Sequence, residues 1–336
     1  MSRRWLALVA SAVTLVAANA GCGGDAPNTI VLYSGQHPQL TNSLIAAFTH
    51  QTGIHVNVRT NDGIVLADQI LQEGSGSQAD AYLTENSPEL MNLQDHGLLA
   101  KLPNSILDQI PARYNSPSGH WVGVALRVSS LAQDPALVPA SQLPRSVLEL
   151  AQPQWKGKLG IAPTDSDFPP LVGAVIAQYG KDAAARWLDG LKRNGQVFQN
   201  DEAVVAAVNR GDVATGLINQ YYWYRLRLEL GANGTHSRLY YFPNHDVGSI
   251  VNISGAAVLA SSQHNSLAER FVQFLVSPQG QRIIANGYDF EYPARPGIAP
   301  NPALPALATT SPATLPATAL GTDQQATQLI QDAGLS

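Results

Sequence analysis

The sequence predicts an α/β fold whose sheets are mostly parallel. Strand and helix patterns alternate from residue 29 onward, and a similar strand–helix unit recurs near residue 158. The 336 residues are enough for two lobes, because single hydrophobic cores stop growing at roughly 250–300 residues. In parallel sheets with crossover helices, ligands bind beyond the carboxyl ends of the strands. Functional residues are therefore expected directly after the predicted strands.

The first unit alternates three strands with three helices. In chain order, the patterns cover residues 29–34 (strand), 38–51 (helix), 54–58 (strand), 62–73 (helix), 79–84 (strand) and 87–95 (helix). Its first helix carries apolar residues at helical spacing on one face, namely Leu40, Leu44, Ile45 and Phe48. Gly53 is a typical stop signal behind that helix. The order predicts a βαβαβ arrangement.

The second unit has the same character. Its patterns cover residues 158–162 (strand), 168–179 (helix), 201–210 (helix), 213–219 (strand) and 223–230 (helix). Ser277 and Pro278 open a late helix, as a cap residue followed by proline at the first helical position. Residues 296–319 are rich in Pro, Ala and Thr and predict extended coil, whereas residues 323–333 predict a last helix.

Composition excludes several classes of protein. The formal net charge is −5 and only 13% of the residues are charged, so no basic surface for nucleic acid is expected. The single cysteine rules out an internal disulfide and a cysteine-built zinc site. A hydrophobic share of 45% fits a globular binding protein or an enzyme.

The N-terminus predicts export. Arg3 and Arg4 precede an apolar run over residues 5–18, which is typical of a secretory signal and too short for a stable membrane span. We assign residues 1–21 to the signal peptide. Cys22 follows in a segment that resembles a bacterial lipobox, which predicts a lipid anchor and no other membrane contact. Asn19 stands where that motif usually has Leu or Val, so ordinary cleavage after Ala20 is the alternative. The protein is expected at the outer face of the cell membrane or in the periplasm.

Three polar or aromatic stretches lie at the ends of predicted strands, at residues 33–38, 84–86 and 218–224. Taken singly, each has an ordinary explanation as a cap, a turn or core packing. Adjacent side chains such as Tyr221 and Tyr222 normally diverge, by roughly 100° in a helix and to opposite faces in a strand. They can converge where the backbone is irregular, and the junction between strand and helix is such a place.

These stretches resemble the iron-binding motifs of the periplasmic ferric-ion-binding proteins, which serve ABC iron importers. The motifs are Gly35-Gln36-His37, Glu85, and the run from Ile218 to Trp223; other similar segments extend over nearly the whole mature chain. The resemblance implies a two-lobed periplasmic binding protein fold of type II with a hinge. One lobe would comprise residues 27–125 plus 252–300, and the other residues 126–251 plus 301–336.

By the same resemblance, four side chains would bind ferric iron: His37, Glu85, Tyr221 and Tyr222. The chemistry agrees, because two phenolates and one carboxylate balance the charge of a hard trivalent ion. Ligands must lose their protons to bind, so affinity is expected to fall with pH. The family further implies a monomer without enzymatic activity that delivers iron to an ABC permease and its ATPase.

Family members usually complete the metal shell with a small anion, such as phosphate or carbonate. The resemblance implies four residues as anion contacts, namely Asn86, Ser166, Asn200 and Asn219. The sequence departs from the family at Asp165 and Asp167, where relatives carry small neutral residues. Either the anion differs, or one of these carboxylates replaces it or turns away. Arg127 either supplies positive charge nearby or is a surface arginine.

Two other functions stay open at this point. The same fold could bind an oxyanion, a polyamine or a sugar phosphate, although such ligands do not need two acidic phenols. An iron-dependent enzyme is the second alternative. Non-haem oxygenases typically use two histidines and one carboxylate, and His37 lacks a neighbouring H-x-D/E partner.

Overall fold

The computed structural model describes residues 28–336. The predicted signal peptide and Cys22 lie outside the described residues. Within the described part of the chain, none of the helices combines the length and apolar character that a transmembrane span requires.

Residues 28–336 form ten β-strands and eleven α-helices. The strands are β1 (Thr29–Ser34), β2 (His55–Thr60), β3 (Ala81–Thr84), β4 (Val122–Gln133), β5 (Leu159–Ile161), β6 (Gly195–Val197), β7 (Thr215–Asn219), β8 (Arg238–Tyr240), β9 (Val251–Val258) and β10 (Tyr292–Pro293). The helices are α1 (Pro38–Thr52), α2 (Gly63–Glu73), α3 (Ser87–Asp95), α4 (Asn104–Leu107), α5 (Phe168–Tyr179), α6 (Lys181–Asn194), α7 (Asp201–Arg210), α8 (Gln220–Gly234), α9 (Asn265–Leu275), α10 (Pro278–Ala285) and α11 (Gln324–Asp332).

Eight of the strands form one continuous path in the order β2-β1-β3-β9-β4-β7-β5-β6, and β8 and β10 each pair with β4 beside this path. Strand β1 pairs in parallel with β2 and β3, and β5 pairs in parallel with β6 and β7. Strands β4 and β9 run antiparallel to their neighbours. We call β2, β1, β3 and β9 the first half-sheet, and β7, β5 and β6 the second half-sheet.

Strand β4 joins the two half-sheets. All twelve of its residues are buried. Its residues 122–128 pair with β9 of the first half-sheet, and its residues 129–133 pair with β7 of the second. A strand shared in this way is the geometry expected of a hinge between two lobes.

The described residues contain two hydrophobic cores, and the first extends across this connection to include α7 and the start of α8. The first contains residues from α1, α2, α3 and α9, and the second contains residues from α5, α6 and α11. The aromatic run at the start of α8 belongs to the first core, although α8 follows a strand of the second half-sheet. Helix α8 therefore packs across the junction, and the lobe boundaries given above stay a prediction.

The topology brings four strand ends to one cleft. Ser34 of β1 pairs with Leu83 of β3, so these two parallel strands end almost level. Strands β5 and β7 are also parallel neighbours, and they end facing the first pair across β4. The loops beyond these ends carry the stretches that the sequence singles out, as expected for ligand sites in α/β sheets.

Candidate metal-binding site

His37 is placed by the turn between β1 and α1. A Cβ at Gly35 would lie 2.5 Å from the Cα of Gly63, so only glycine lets the two segments approach this closely. Pro38 then opens α1, where its fixed φ angle suits the first helical turn. The imidazole is thereby held at the helix entrance, next to the end of β3.

Glu85 follows the last residue of β3 and contacts this imidazole directly. The distance from His37 Nδ1 to Glu85 Oε1 is 2.8 Å. The other ring nitrogen, Nε2, is buried and has no hydrogen-bond partner among residues 28–336. One nitrogen is thus fixed by a carboxylate, as in many metal-binding histidines, and the other is free to bind a ligand.

Tyr221 and Tyr222 enter the site from the opposite side. Both lie in the first turn of α8, directly after β7, and they are 0% and 6% exposed. Their ring centroids are 3.9 Å apart, and the Tyr221 ring contacts the His37 imidazole at 5.2 Å. The junction between strand and helix is where the sequence predicts it, but the helix starts at Gln220, so the tyrosines belong to its first turn and not to irregular backbone. Their rings meet nevertheless, and His37, Glu85, Tyr221 and Tyr222 lie together.

Arg127 lies at the centre of the cleft and is 0% exposed, so it is not a surface residue. It projects from β4, the strand shared by the half-sheets. Its Nη2 donates to the Glu85 carbonyl oxygen at 2.6 Å and to Asp167 Oδ1 at 3.2 Å. Its Nη1 lies 3.6 Å from Glu85 Oε2 and 3.5 Å from Glu291 Oε1. One guanidinium therefore links carboxylates from both sides of the cleft.

The loop before α5 places its two aspartates differently. Asp167 is buried, and its Oδ2 accepts a hydrogen bond from Tyr221 Oη at 3.3 Å. Asp165 Oδ1 accepts from the backbone N–H of Asp167 at 3.1 Å, and Oδ2 accepts from that of Asp201 at 3.0 Å. Asp165 thus holds the loop in shape, whereas Asp167 faces the phenol.

The four residues predicted to contact an anion are mostly engaged elsewhere. Asn86 accepts from Arg127 Nη2 at 2.8 Å and donates to the Ser166 carbonyl oxygen at 3.1 Å. Asn200 caps α7 by accepting from the N–H of Ala203. Asn219 Oδ1 accepts from Ser129 and Asn252, and its buried Nδ2 finds no partner in the described part of the chain. Their role as anion contacts stays a prediction.

The histidine–glutamate pair is charged in the metal-free protein. Burial lowers the pKa of His37, but the neighbouring Glu85 carboxylate favours the imidazolium more strongly, so the pKa is raised to about 9. Burial likewise opposes ionisation of Glu85, yet His37 and Arg127 lower its pKa. A metal ion that binds Nε2 must therefore displace a proton from His37.

Both phenols are neutral without a metal ion. Burial raises the pKa of Tyr221 and of Tyr222 well above its usual value, and the nearby Asp167 carboxylate acts in the same direction. Only a strong cation can favour the phenolates here. Within residues 28–336, no group of three or more His, Cys, Asp and Glu side chains has the arrangement of a metal site.

Sequence reasoning included Gln36 in a motif but did not predict the buried polar contacts behind the site. Gln36 Nε2 donates to Ser254 Oγ at 3.1 Å and lies 3.3 Å from both carboxylate oxygens of Glu291. Burial raises the pKa of Glu291 to about 7, although Arg127 lowers it. Asp289 is 2% exposed, and neither of its carboxylate oxygens has a partner among the residues described. Hydrophobic patterning gives no signal for such residues, because they are polar and buried.

A buried polar site between two half-sheets that share a hinge strand defines a two-lobed solute-binding protein. The comparisons agree with this class. The profile of the family described as "Bacterial extracellular solute-binding protein" matches residues 79–321, and the chain belongs to that family.

The relatives identify the branch of the family. The chain is 38% identical over 299 residues to the Fe(3+)-binding periplasmic protein of Serratia marcescens, covering 89% of this chain and 88% of the relative. Iron-bound HitA from Pseudomonas aeruginosa is similar with a TM-score of 0.88 at 40% identity, covering 92% of this chain and 100% of that one. A Trichodesmium protein described as IdiA or FutA, in complex with iron and citrate, is similar with a TM-score of 0.78 at 28% identity, covering 92% and 100%. The resemblance stated from the motifs is confirmed.

Proposed function

We propose that this protein captures ferric iron between its two lobes outside the cytoplasm and delivers it to an ABC importer. One observation carries the proposal. Two buried, adjacent phenols lie beside a carboxylate and beside an imidazole whose buried Nε2 has no hydrogen-bond partner among the described residues. Phenolate and carboxylate oxygens suit a hard trivalent ion. The Serratia and Pseudomonas relatives, which bind iron, support the assignment.

The four ligands in this proposal are His37, Glu85, Tyr221 and Tyr222. The first two follow strands of the first half-sheet, and the tyrosines follow a strand of the second. An ion that binds all four holds the lobes together, so its binding energy favours the closed form. A permease can then distinguish the loaded shape from the empty one. We propose a monomeric, non-enzymatic carrier in the periplasm or lipid-anchored through Cys22.

We expect purified protein to bind one ferric ion with a visible tyrosinate-to-iron charge-transfer band. The test adds ferrous chloride under air, so that ferric ion forms in solution without a chelator. Small-angle scattering of the same samples should show a more compact molecule, because the ion draws ligands from both lobes. A colourless solution with unchanged dimensions would contradict the proposal and favour another small ligand, such as a polyamine or a sugar phosphate.

Iron binding should release about three protons per ion near pH 6. Tyr221 and Tyr222 each lose one, since their pKa values are raised, and His37 loses one because its pKa is about 9. Glu85 contributes none, because its pKa is lowered and it is already ionised. The affinity should therefore fall about 1,000-fold for each unit by which the pH decreases.

The measurement is exchange of iron against citrate at several pH values between about 5.5 and 6.5, corrected for the titration of citrate itself. The matched control is Tyr222→Phe, whose remaining iron binding should release one proton fewer. A release of one proton or none by the wild type would show that the phenols do not ionise.

A further inference from the structure

The space beside the two phenols already contains a carboxylate. Asp167 Oδ2 lies 3.3 Å from Tyr221 Oη. Of the nearby charged groups, the Asp167 carboxylate also contributes most to the raised pKa of both tyrosines. Its other oxygen, Oδ1, lies 3.2 Å from Arg127 Nη2. The carboxylate is buried and held by a buried cation, with one oxygen directed toward the phenol. A small anion bound beside this phenol and Arg127 would therefore compete with Asp167 for the same contacts.

Most groups that could bind an anion here are engaged, and the exception among the predicted contacts is the buried Nδ2 of Asn219, which has no partner among residues 28–336. Helix N-termini bind anions through free N–H groups, but α5 begins Phe168-Pro169-Pro170, and proline has no N–H. The N–H of Phe168 donates to the Asp165 carbonyl oxygen at 3.1 Å. The first N–H of α7, that of Asp201, is taken by the Asp165 carboxylate. Neither helix start offers a free pair of donors to phosphate.

The side chains around the cleft also disfavour an added anion. Both ends of the Asn86 amide are hydrogen-bonded, to Arg127 and to Ser166. Both terminal nitrogens of Arg127 already contact protein oxygens. A phosphate placed beside Tyr221 would meet the Asp167 carboxylate, and Arg127, the cation that contacts Asp167, already bonds protein oxygens. An exogenous anion would first have to displace Asp167 from Arg127.

We propose that Asp167 is itself a ligand of the bound ferric ion, so that iron binds without an exogenous anion. This inference rests on the proposed function and names a further donor at the same site. The charges agree with this assignment. The two phenolates, Glu85 and Asp167 together carry one negative charge more than the trivalent ion can balance, and Arg127 supplies the remaining positive charge. Asp165 is not a ligand, because both of its oxygens accept backbone N–H groups.

The test compares the wild type with Asp167→Ser in buffers with and without phosphate. Iron is again formed from ferrous chloride under air, and iron and phosphate are both assayed after gel filtration. We expect the wild type to keep its iron and its charge-transfer band in either buffer, with no phosphate retained. Asp167→Ser should bind iron about 100-fold more weakly without phosphate. With phosphate it should recover affinity and retain phosphate together with the iron.

Two further variants make the outcome specific. Asp189→Ser removes the same charge from an exposed position on α6 and should behave like the wild type. Asp167→Asn keeps the side-chain shape and should lose affinity without phosphate, with circular dichroism confirming its fold. Phosphate retained by the wild type, or an iron affinity unchanged in both Asp167 variants, would overturn the inference while iron binding stands. A wild type that binds no iron in either buffer would instead contradict the proposed function.

Discussion

Replacing Tyr221 and Tyr222 together by phenylalanine should abolish the charge-transfer band and weaken ferric iron binding by far more than 100-fold. Loss of a group that only supports a metal ligand costs about 10–100-fold in affinity, and this variant removes two anionic ligands. The metal-free protein should still fold. Tyr221 Oη makes one hydrogen bond of 3.3 Å, and such a bond contributes about 1 kcal/mol to the free energy of unfolding.

The matched control is Tyr224→Phe, which removes a phenol hydroxyl from the same helix. The Tyr224 ring stacks against Phe290, with centroids 5.6 Å apart, and is 9% exposed. Its variant should keep both the band and the affinity. The measurements are the visible spectrum and competitive iron titration, with thermal unfolding to confirm the fold. A band that persists in the double variant would remove the tyrosines from the site.

The sequence predicts the regular elements best where apolar spacing and end signals coincide. The helix predicted over residues 87–95 is α3 (Ser87–Asp95), and the helix predicted over residues 168–179 is α5 (Phe168–Tyr179). In contrast, α8 begins at Gln220, three residues before its predicted start. Gln220 is fully buried, and its Oε1 accepts from the N–H of Val128 on β4 at 2.6 Å. The contact joins distant parts of the chain, so the sequence next to Gln220 carries no pattern that marks the start of the helix.

The same limit applies to the site. The sequence places candidate residues at strand ends, and the resemblance to the ferric-ion-binding proteins is what implies the ligand set. The direction of Asp167 could not be assigned, because it depends on Arg127, a residue 40 positions away on β4. Arginine is seldom fully buried, so sequence reasoning left the position of Arg127 open. Contacts between polar residues of distant elements require the tertiary structure.

Replacing Arg127 by methionine should destabilise the metal-free protein by about 3–5 kcal/mol, the usual effect of leaving buried charges without their partner. The guanidinium is 0% exposed and lies within 3.6 Å of carboxylate oxygens of Glu85, Asp167 and Glu291. Methionine fills part of the volume but supplies no charge, so these groups must be protonated or repel one another. Urea unfolding gives the free energy of unfolding directly.

The loss should grow as the pH rises. Burial raises the pKa of Glu291 to about 7 even with Arg127 in place, and removal of Arg127 raises it further. A carboxyl whose pKa is higher in the folded than in the unfolded state binds more protons when folded, so its stabilising effect is lost as the pH increases. We therefore expect a larger deficit at pH 8 than at pH 5.5, and partial recovery when Glu291→Gln is added to Arg127→Met.

Arg210→Met provides the control, because Arg210 pairs with Asp212 at the surface and its side chain is 61% exposed. Exposed pairs of this kind contribute about 0–1 kcal/mol, largely independent of pH in this range. If Arg127→Met lost no more stability than Arg210→Met, or lost it equally at both pH values, the central guanidinium would not be what holds the cleft carboxylates.

Because Arg127 lies on the strand shared by both half-sheets, its loss should also weaken iron binding by releasing Glu85 and Asp167 from their positions.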